Sequence, residues 1–235
     1  MKLIILAAGT GSRLRSLTKN KHKCLLKIKK NETIITRLLL QFRKSGIKNK
    51  DIVIITGFKS KQIKNKLPNE IKCKFYKNFK KTNNLHTLWE FKNLLGKQDT
   101  IISFADLVMD FRILKNFLKK KTNSLEALVD KSFVRKGTMK VKINKKIISK
   151  IGKLRISESN GNFLGIMKIS KKMILKFKNK LDKFSTKSKN NYYTEAVNSM
   201  IRDNEKVFFH DVDGKNWVEV DNTYDYIKAK KMFKN

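Results

Sequence analysis

The chain has 235 residues, 40% of them hydrophobic, which is enough for one large domain with a substantial core. Its 56 Lys+Arg against 19 Asp+Glu give a formal net charge of +37. No run approaches the roughly 20 apolar residues of a membrane span, and Met1 to Ala8 meets Gly9 too soon for a secretory segment, so a cytoplasmic protein with no membrane partner is expected.

The predicted elements start with a continuous apolar run, Lys2 to Ala8, which reads as a buried parallel strand feeding a Gly-Thr-Gly turn. Thr33 to Ser45 has a helical period closed by Gly46, and Asp51 to Thr56 is strand-like. A helix near Ser60 to Leu67, a strand at Cys73 to Tyr76, a helix over Asn84 to Leu95 and a strand at Thr100 to Phe104 continue the alternation. Such a rhythm implies right-handed crossovers and a Rossmann-like, mostly parallel central sheet with helices on both faces, an α/β fold.

After Asp110 the pattern changes. A helix around Phe111 to Lys120 precedes β-rich runs at Ser124 to Asp130, Lys140 to Ile143, Lys146 to Ile151 and Phe163 to Ile169. Helices at Lys171 to Phe177 and Thr194 to Asp203, a strand at Val207 to Asp211 and the segment Trp217 to Asp221 follow. The expectation is one domain over 1–235, with a nucleotide-binding half over about 1–110 and an acceptor-binding, closing half over about 111–235 that carries a small β-rich insertion.

The charge would ordinarily point to nucleic acid. Here the lysines run along the whole length, as in Lys59, Lys61, Lys64 and Lys66 or Lys119 to Lys121, with no basic arm and no aromatic-interleaved stripe. Abundant Lys, Asn and Ile beside the single Pro68 read as compositional bias. A nucleic-acid partner is therefore disfavoured, and a basic nucleic-acid-binding protein stays as the distant alternative. Cys24 and Cys73 lie far apart without a CxxC companion, which argues against a disulfide framework and against a zinc site.

The most specific signal is Leu6-Ala7-Ala8-Gly9-Thr10-Gly11-Ser12-Arg13-Leu14, followed by Leu17-Thr18 and then Lys23. A glycine-rich turn between strand and helix lets backbone N–H groups approach phosphate oxygens, and Arg13 adds a permanently charged fork. The segment resembles the signature LAAGxGxRLxPLTxxxPK of the nucleotidyltransferases that make sugar nucleotides and CDP-alcohols. Ser16 and His22 stand where that family usually has proline, a loss of loop rigidity rather than of chemistry. The resemblance implies a GT-A-like nucleotidyltransferase fold. It also implies that Leu6 to Gly11 bind a nucleoside triphosphate, while Arg13 and Lys23 act as catalytic cations on the reacting phosphates.

Two acidic positions complete that pattern. Asp106 ends the apolar strand Ile101-Ile102-Ser103-Phe104-Ala105, where open α/β sheets place their ligands, although a strand-end Asp can equally cap a helix or form a turn. In Trp217-Val218-Glu219-Val220-Asp221, strand alternation puts Trp217, Glu219 and Asp221 on one face. In the family the acidic residue after the central strand and the one ending W-x-E-[IV]-D hold Mg2+, which makes Asp106 and Asp221 the expected metal ligands and Asp106 part of the nucleotide site. Asp225, four residues on, reads as a cap or first-turn residue of the terminal helix rather than a metal ligand.

Acceptor and base rest on looser similarity. Asn83-Asn84-Leu85-His86-Thr87-Leu88-Trp89 resembles the N-x-x-S-L stretch of phosphocholine cytidylyltransferases more than the Q-x-x-G-T-A-x-A stretch of sugar-1-phosphate enzymes. Asn83 and Asn84 are thus candidate nucleotide contacts, and Asn83 or His86 a candidate contact to the base or acceptor, with a capping role open for Asn84 and a surface position open for His86. Ile151-Gly152-Lys153 and Gly161-Asn162-Phe163-Leu164-Gly165-Ile166-Met167-Lys168 resemble the IGK and GExxGIxK segments of the CDP-alcohol subgroup, with Asn162 in the usual Glu position. Lys153 is either an acceptor-phosphate ligand or a solvated surface lysine. Tyr192, Tyr193, Glu195, Trp217 and Glu219 either line a pocket for a cationic headgroup or are ordinary core and rim residues. The resemblance implies an enzyme that moves CMP from CTP to phosphocholine or a similar small phosphorylated metabolite, releasing pyrophosphate; uridylyl or thymidylyl transfer to a sugar-1-phosphate is the alternative.

Overall fold

In the computed structural model, residues 1–232 are described. The last three positions of the expected 1–235 domain lie outside them. In chain order the elements are β1 (Lys2–Ala7), β2 (Lys27–Lys29), β3 (Glu32–Thr33), α1 (Ile34–Lys44), β4 (Ile52–Thr56), α2 (Ser60–Lys64), β5 (Lys72–Phe75), α3 (Asn84–Glu90), β6 (Thr100–Phe104), β7 (Leu107–Met109) and α4 (Phe111–Lys119). They continue with β8 (Leu125–Asp130), β9 (Lys140–Asn144), β10 (Ile147–Gly152), β11 (Gly161–Ile169), α5 (Ile174–Ser185), α6 (Thr194–Arg202), β12 (Val207–Asp211), β13 (Trp217–Glu219) and α7 (Thr223–Lys231). The fold is mixed α/β. No helix among the described residues is long and apolar enough to cross a membrane.

The chain forms two compact units, each drawn from separated stretches of sequence. The first comprises 1–4, 81–103 and 120–214; the second comprises 5–80, 104–119 and 215–235. In the second unit, the end of β1, then β4 and β5 are neighbours, and β4 pairs with β5 in parallel from Val53↔Lys72 to Thr56↔Phe75. Both β1 and β4 are buried almost throughout, as strands covered on both faces must be. Helix α1 starts at a reciprocal capping box between Thr33 and Thr36 and buries Ile34, Ile35, Leu38, Leu39 and Phe42. It ends at Gly46, whose φ of 97° suits glycine. A small core of Leu14, Leu26, Ile28, Ile34, Val108, Val218, Val220 and Ala229 joins the signature loop, the β2–β3 hairpin, the β7–β13 pair and α7.

In the first unit, β10, β9, β11, β6 and the start of β1 are neighbours in that order, and β11 also pairs with β8. Strand β11 runs antiparallel to β6, β8 and β9, whereas β12 joins β8 in parallel. The register against β8 shifts between Phe163 and Met167 around Gly165 at φ 80°, a bulge that accounts for the glycine of the Gly-Ile-Met-Lys run. Asn162, fully buried, accepts from Arg135 N–H at 2.7 Å and from the Thr138 hydroxyl at 3.1 Å, and its amide donates to the carbonyls of Asp130 and Phe133. Its role is therefore to fasten the 130–138 loop. Lys168 ends the same run inside the core, 2.9 Å from Glu126.

Candidate active site

Every member of the charged cluster belongs to the second unit. Strand β1 delivers the chain to Gly11, which sits at φ 66°, ψ 30° and turns it into a 3₁₀ segment over Ser12–Thr18. The turn is closed by Leu14 N–H and the Thr18 hydroxyl, which both donate to the Gly11 carbonyl, at 3.1 and 3.0 Å. A Cβ at Gly11 would stand 3.1 Å from Lys23 Cβ, so glycine here supplies the left-handed turn and leaves the space that the Lys23 stem occupies. Leu6, Ala7 and Ala8 are buried side chains. Only their backbone could meet a nucleotide.

Lys23 projects its ammonium between two carboxylates. It forms an ion pair with Asp106 and lies 3.1 Å from Asp221 Oδ1, while Arg13 Nη2 contacts the other Asp221 oxygen at 2.8 Å. Asp106 follows β6, and β13 pairs antiparallel with β7 from Trp217↔Met109 to Glu219↔Leu107. The Val220 N–H then donates to the Asp106 carbonyl at 2.9 Å, which locks the two acidic segments side by side. Ligand oxygens of Asp106, Glu219 and Asp221 all lie within 4.8 Å of one another. Asp106 Oδ1 is buried and accepts no hydrogen bond.

The electrostatics follow from this crowding. Burial works against the Lys23 ammonium, but the attraction of Asp106 and Asp221, with Glu219 beyond them, outweighs it and raises its pKa. Lys23 is therefore a fixed positive charge and not a base. Burial of the Glu219 carboxyl, followed by repulsion from Asp106 and Asp221, pushes its pKa well above the usual carboxylate range, against the opposing pull of Lys23 and Arg13.

Next to Lys23, His22 is buried and its Nδ1 accepts the Cys24 N–H at 3.2 Å, with Cys24 Sγ 3.0 Å away. Burial, then the Lys23 charge, lower the His22 pKa to about 4, although the backbone of Gly9 and Ala7 acts the other way. Burial, then Asp106, raise the Cys24 thiol. Neither is poised for proton transfer or nucleophilic attack at neutral pH. Asp225 lies in the first turn of α7 as the N3 partner of the N-cap Asn222: its carboxylate accepts from Asp221 and Asn222 N–H at 3.1 Å each, and so steadies Asp221 from behind.

Residues 2–235 match the family described as Nucleotidyl transferase. The chain belongs to that family. It is 30% identical to the CTP:phosphoglutamine cytidylyltransferase of Campylobacter jejuni, over 94% of this chain and 96% of that one. Among solved structures, the CTP:phosphocholine cytidylyltransferase of Streptococcus pneumoniae superposes with a TM-score of 0.79 at 22% identity, covering 99% of both chains. The inositol-1-phosphate CTP transferase of T. maritima gives 0.82 at 20%, covering 100% of this chain and 96% of the other. These structures share the fold of this nucleotidyltransferase.

Other expected site residues sit in the first unit. Asn83, not Asn84, is the N-cap of α3, its side chain accepting from Asn84 N–H at 2.9 Å. Asn84 instead accepts the Tyr193 N–H at 2.9 Å, tying the helix start to the segment before α6. His86 is buried, with Nε2 3.0 Å from the Ser188 carbonyl, so the surface position left open for it does not hold. Lys153 lies with its ammonium 4.6 Å from the centre of the Tyr192 ring.

In the second unit, the structure corrects one pocket residue. Trp217 is 1% exposed, although Glu219 and Asp221 on the same face reach the charged cluster, and its ring has no surface to offer a headgroup. Sequence reasoning also passed over Glu219 as a companion of the two aspartates, although its alternation with Asp221 carried the signal.

Proposed function

We propose that this nucleotidyltransferase transfers CMP from CTP to a small phosphorylated acceptor and releases pyrophosphate. The observation that carries the reading is the placing of Lys23 between Asp106 and Asp221, directly behind the Gly11 turn, with Arg13 on the same aspartate. The choice of CTP is supported by the near full-length relative, which uses CTP with phosphoglutamine.

An acceptor phosphate already carries a nucleophilic oxygen. Its attack forms a new bond to the α-phosphorus while the bond to the β-phosphate bridging oxygen breaks, and the electron pair leaves with pyrophosphate. No base is needed, in keeping with a buried, neutral His22 and a buried Cys24 thiol. What the protein must supply is alignment and positive charge. Backbone N–H groups of Gly9 to Gly11 would cradle the triphosphate, with Arg13 and Lys23 on its oxygens. Three clustered carboxylates, one with a buried oxygen that accepts nothing, form a hard-oxygen donor set suited to magnesium. Asp106 and Asp221 would hold it, and when bound it would neutralise charge building on the phosphates. We further read 1–235 as one domain that works in the cytoplasm.

The test is pyrophosphate release with magnesium across CTP, UTP, dTTP, ATP and GTP, each against amine-bearing phosphates and sugar-1-phosphates. Turnover should be confined to CTP and fall on the order of a hundredfold or more in Asp106→Asn and Asp221→Asn. Turnover with UTP or dTTP and a sugar-1-phosphate alone would retire the cytidylyl assignment, and undiminished activity in both variants would remove the two aspartates from the mechanism.

A further inference from the structure

Where the family usually has proline, this chain has His22. The backbone suits either residue, since His22 has φ −68° and ψ 142°, which proline adopts without strain. What histidine adds is a ring with two polar nitrogens, where a proline ring carries none. That ring is 1% exposed and lies in the second unit beside the signature turn. It is 6.4 Å from the Phe58 ring, centre to centre, and the Phe58 N–H donates to the Ala8 carbonyl at 3.1 Å.

The two nitrogens are used unequally. Nδ1 accepts the Cys24 N–H at 3.2 Å and so caps the 3₁₀ turn over Lys23–Leu25, which fixes the ring and puts the proton of its neutral form on Nε2. That Nε2–H is buried, and among the described residues it closes no hydrogen bond. A buried donor left open costs free energy, and folded proteins leave few of them. Two backbone groups favour a proton on this ring, Gly9 first and Ala7 second, and a backbone group that does so is a carbonyl. Ala7 ends β1, whereas Gly9 belongs to the turn. The Ala8 carbonyl is held by Phe58 N–H, and the Gly11 carbonyl by Leu14 N–H and the Thr18 hydroxyl. Between these anchors lies the peptide that joins Gly9 to Thr10. A Cβ on Gly9 would meet no described atom within 4 Å, so the turn has open space on one side of Gly9 and the His22 ring on another.

We propose that His22 is a positioning residue for the phosphate turn, its Nε2–H closing onto the Gly9 carbonyl when a triphosphate binds. Carbonyl and N–H point in opposite directions across a planar trans peptide. Holding the Gly9 carbonyl towards the ring therefore turns the Thr10 N–H outward, where it can donate to a phosphate oxygen in a charge-assisted bond. Ring and phosphate then grip the two ends of one peptide, and each bond polarises the other. A hydrogen bond made only in the bound state contributes to ligand affinity and nothing to the stability of the empty protein. The inference rests on the reading of Gly9 to Gly11 as a triphosphate cradle, and it adds the side chain that sets the turn.

Calorimetric titration of the full chain with CTP and magnesium tests it through three variants. His22→Gln keeps an N–H donor in the place of Nε2, His22→Asn keeps only an acceptor for the Cys24 N–H, and His22→Pro keeps the backbone and restores the family's residue. His22→Gln should bind CTP as the wild type does, whereas His22→Asn and His22→Pro should bind on the order of fivefold more weakly. If the residue served only to stiffen the loop, proline would match or better the wild type. Full affinity in His22→Pro, or a glutamine variant no better than asparagine, would overturn the proposal. NMR of the wild type with labelled histidine gives a reading that needs no folded variant: the His22 proton should sit on Nε2 and its signal should move downfield when CTP is added. A proton on Nδ1, or an Nε2–H signal indifferent to CTP, would equally overturn it. Should the wild type bind no CTP at all, the triphosphate reading itself falls and takes this proposal with it.

Discussion

Lys23 and Lys168 are both lysines held against carboxylates, yet they do different work. Lys168 is 2.9 Å from Glu126 with both side chains 1% exposed, deep in the first unit, where removing one partner would leave the other charge uncompensated. Lys23 is held by two aspartates behind a glycine turn, where, on the function proposed above, its charge would be shared with an incoming phosphate. His22, beside it, carries a pH signature that can be isolated. Its pKa in the folded chain is about 4 against an ordinary 6.5, so the unfolded chain binds the extra proton first. Stability contributed by the neutral ring is complete above pH 6.5 and is lost as the pH falls towards 4, a span worth about 3 kcal/mol. Urea unfolding of the wild type and His22→Asn from pH 7 to 4 should show the wild type losing more stability, by roughly that amount. Parallel pH profiles would mean that the buried ring is not what titrates.

At the level of elements, the support for the signature loop comes from the strand next to it. The Phe58 N–H donates to the Ala8 carbonyl at 3.1 Å, just after β4 ends. A Cβ on Gly57 would lie 2.6 Å from that same carbonyl and 2.6 Å from Phe79 Cβ, so something must shift. Gly57→Ala is expected to cost about 1–3 kcal/mol in chemical denaturation and, if the Gly9–Gly11 turn cradles the triphosphate as proposed above, to raise KM for CTP more than it lowers kcat. A loss of stability with KM unchanged would separate Gly57 from the loop.

Most of these elements were legible from sequence. The buried runs of β1, β4 and β6, the capped period of α1 and the alternation in Trp217 to Asp221 state their structure locally. The β2–β3 hairpin and β7 were not, because three-residue and two-residue strands leave no period to read. Helix α5 runs to Ser185, well past the expected Phe177, because its lysine-rich second half buries only Leu181 and Phe184 and so looked like loop. At the candidate site, the motifs single out the Gly11 turn, Lys23, Asp106 and Asp221, and the structure brings these residues together. Trp217 could not be placed, since alternation states which residues share a face but not which of them is buried and which reaches the site.

Across the whole chain, 56 Lys+Arg meet only 19 Asp+Glu, so a formal excess of 37 positive charges has no carboxylate to pair with. Local ion pairs such as Lys180 with Asp203 or Lys176 with Glu205 each have one exposed side chain and contribute little. Repulsion among the unpaired cations acts over a Debye length of about 10 Å at 0.1 M salt and disfavours the compact state, whereas the unfolded chain relaxes by expanding. Salt screens the repulsion more than it weakens the buried Lys23 and Lys168 clusters. The melting temperature should therefore rise as sodium chloride goes from low to moderate concentration, the reverse of a protein held by surface ion pairs. Differential scanning fluorimetry across that range decides it. A falling melting temperature would mean that specific pairs outweigh the net field, and the lysine excess would then have to be read as an arranged surface instead of compositional bias.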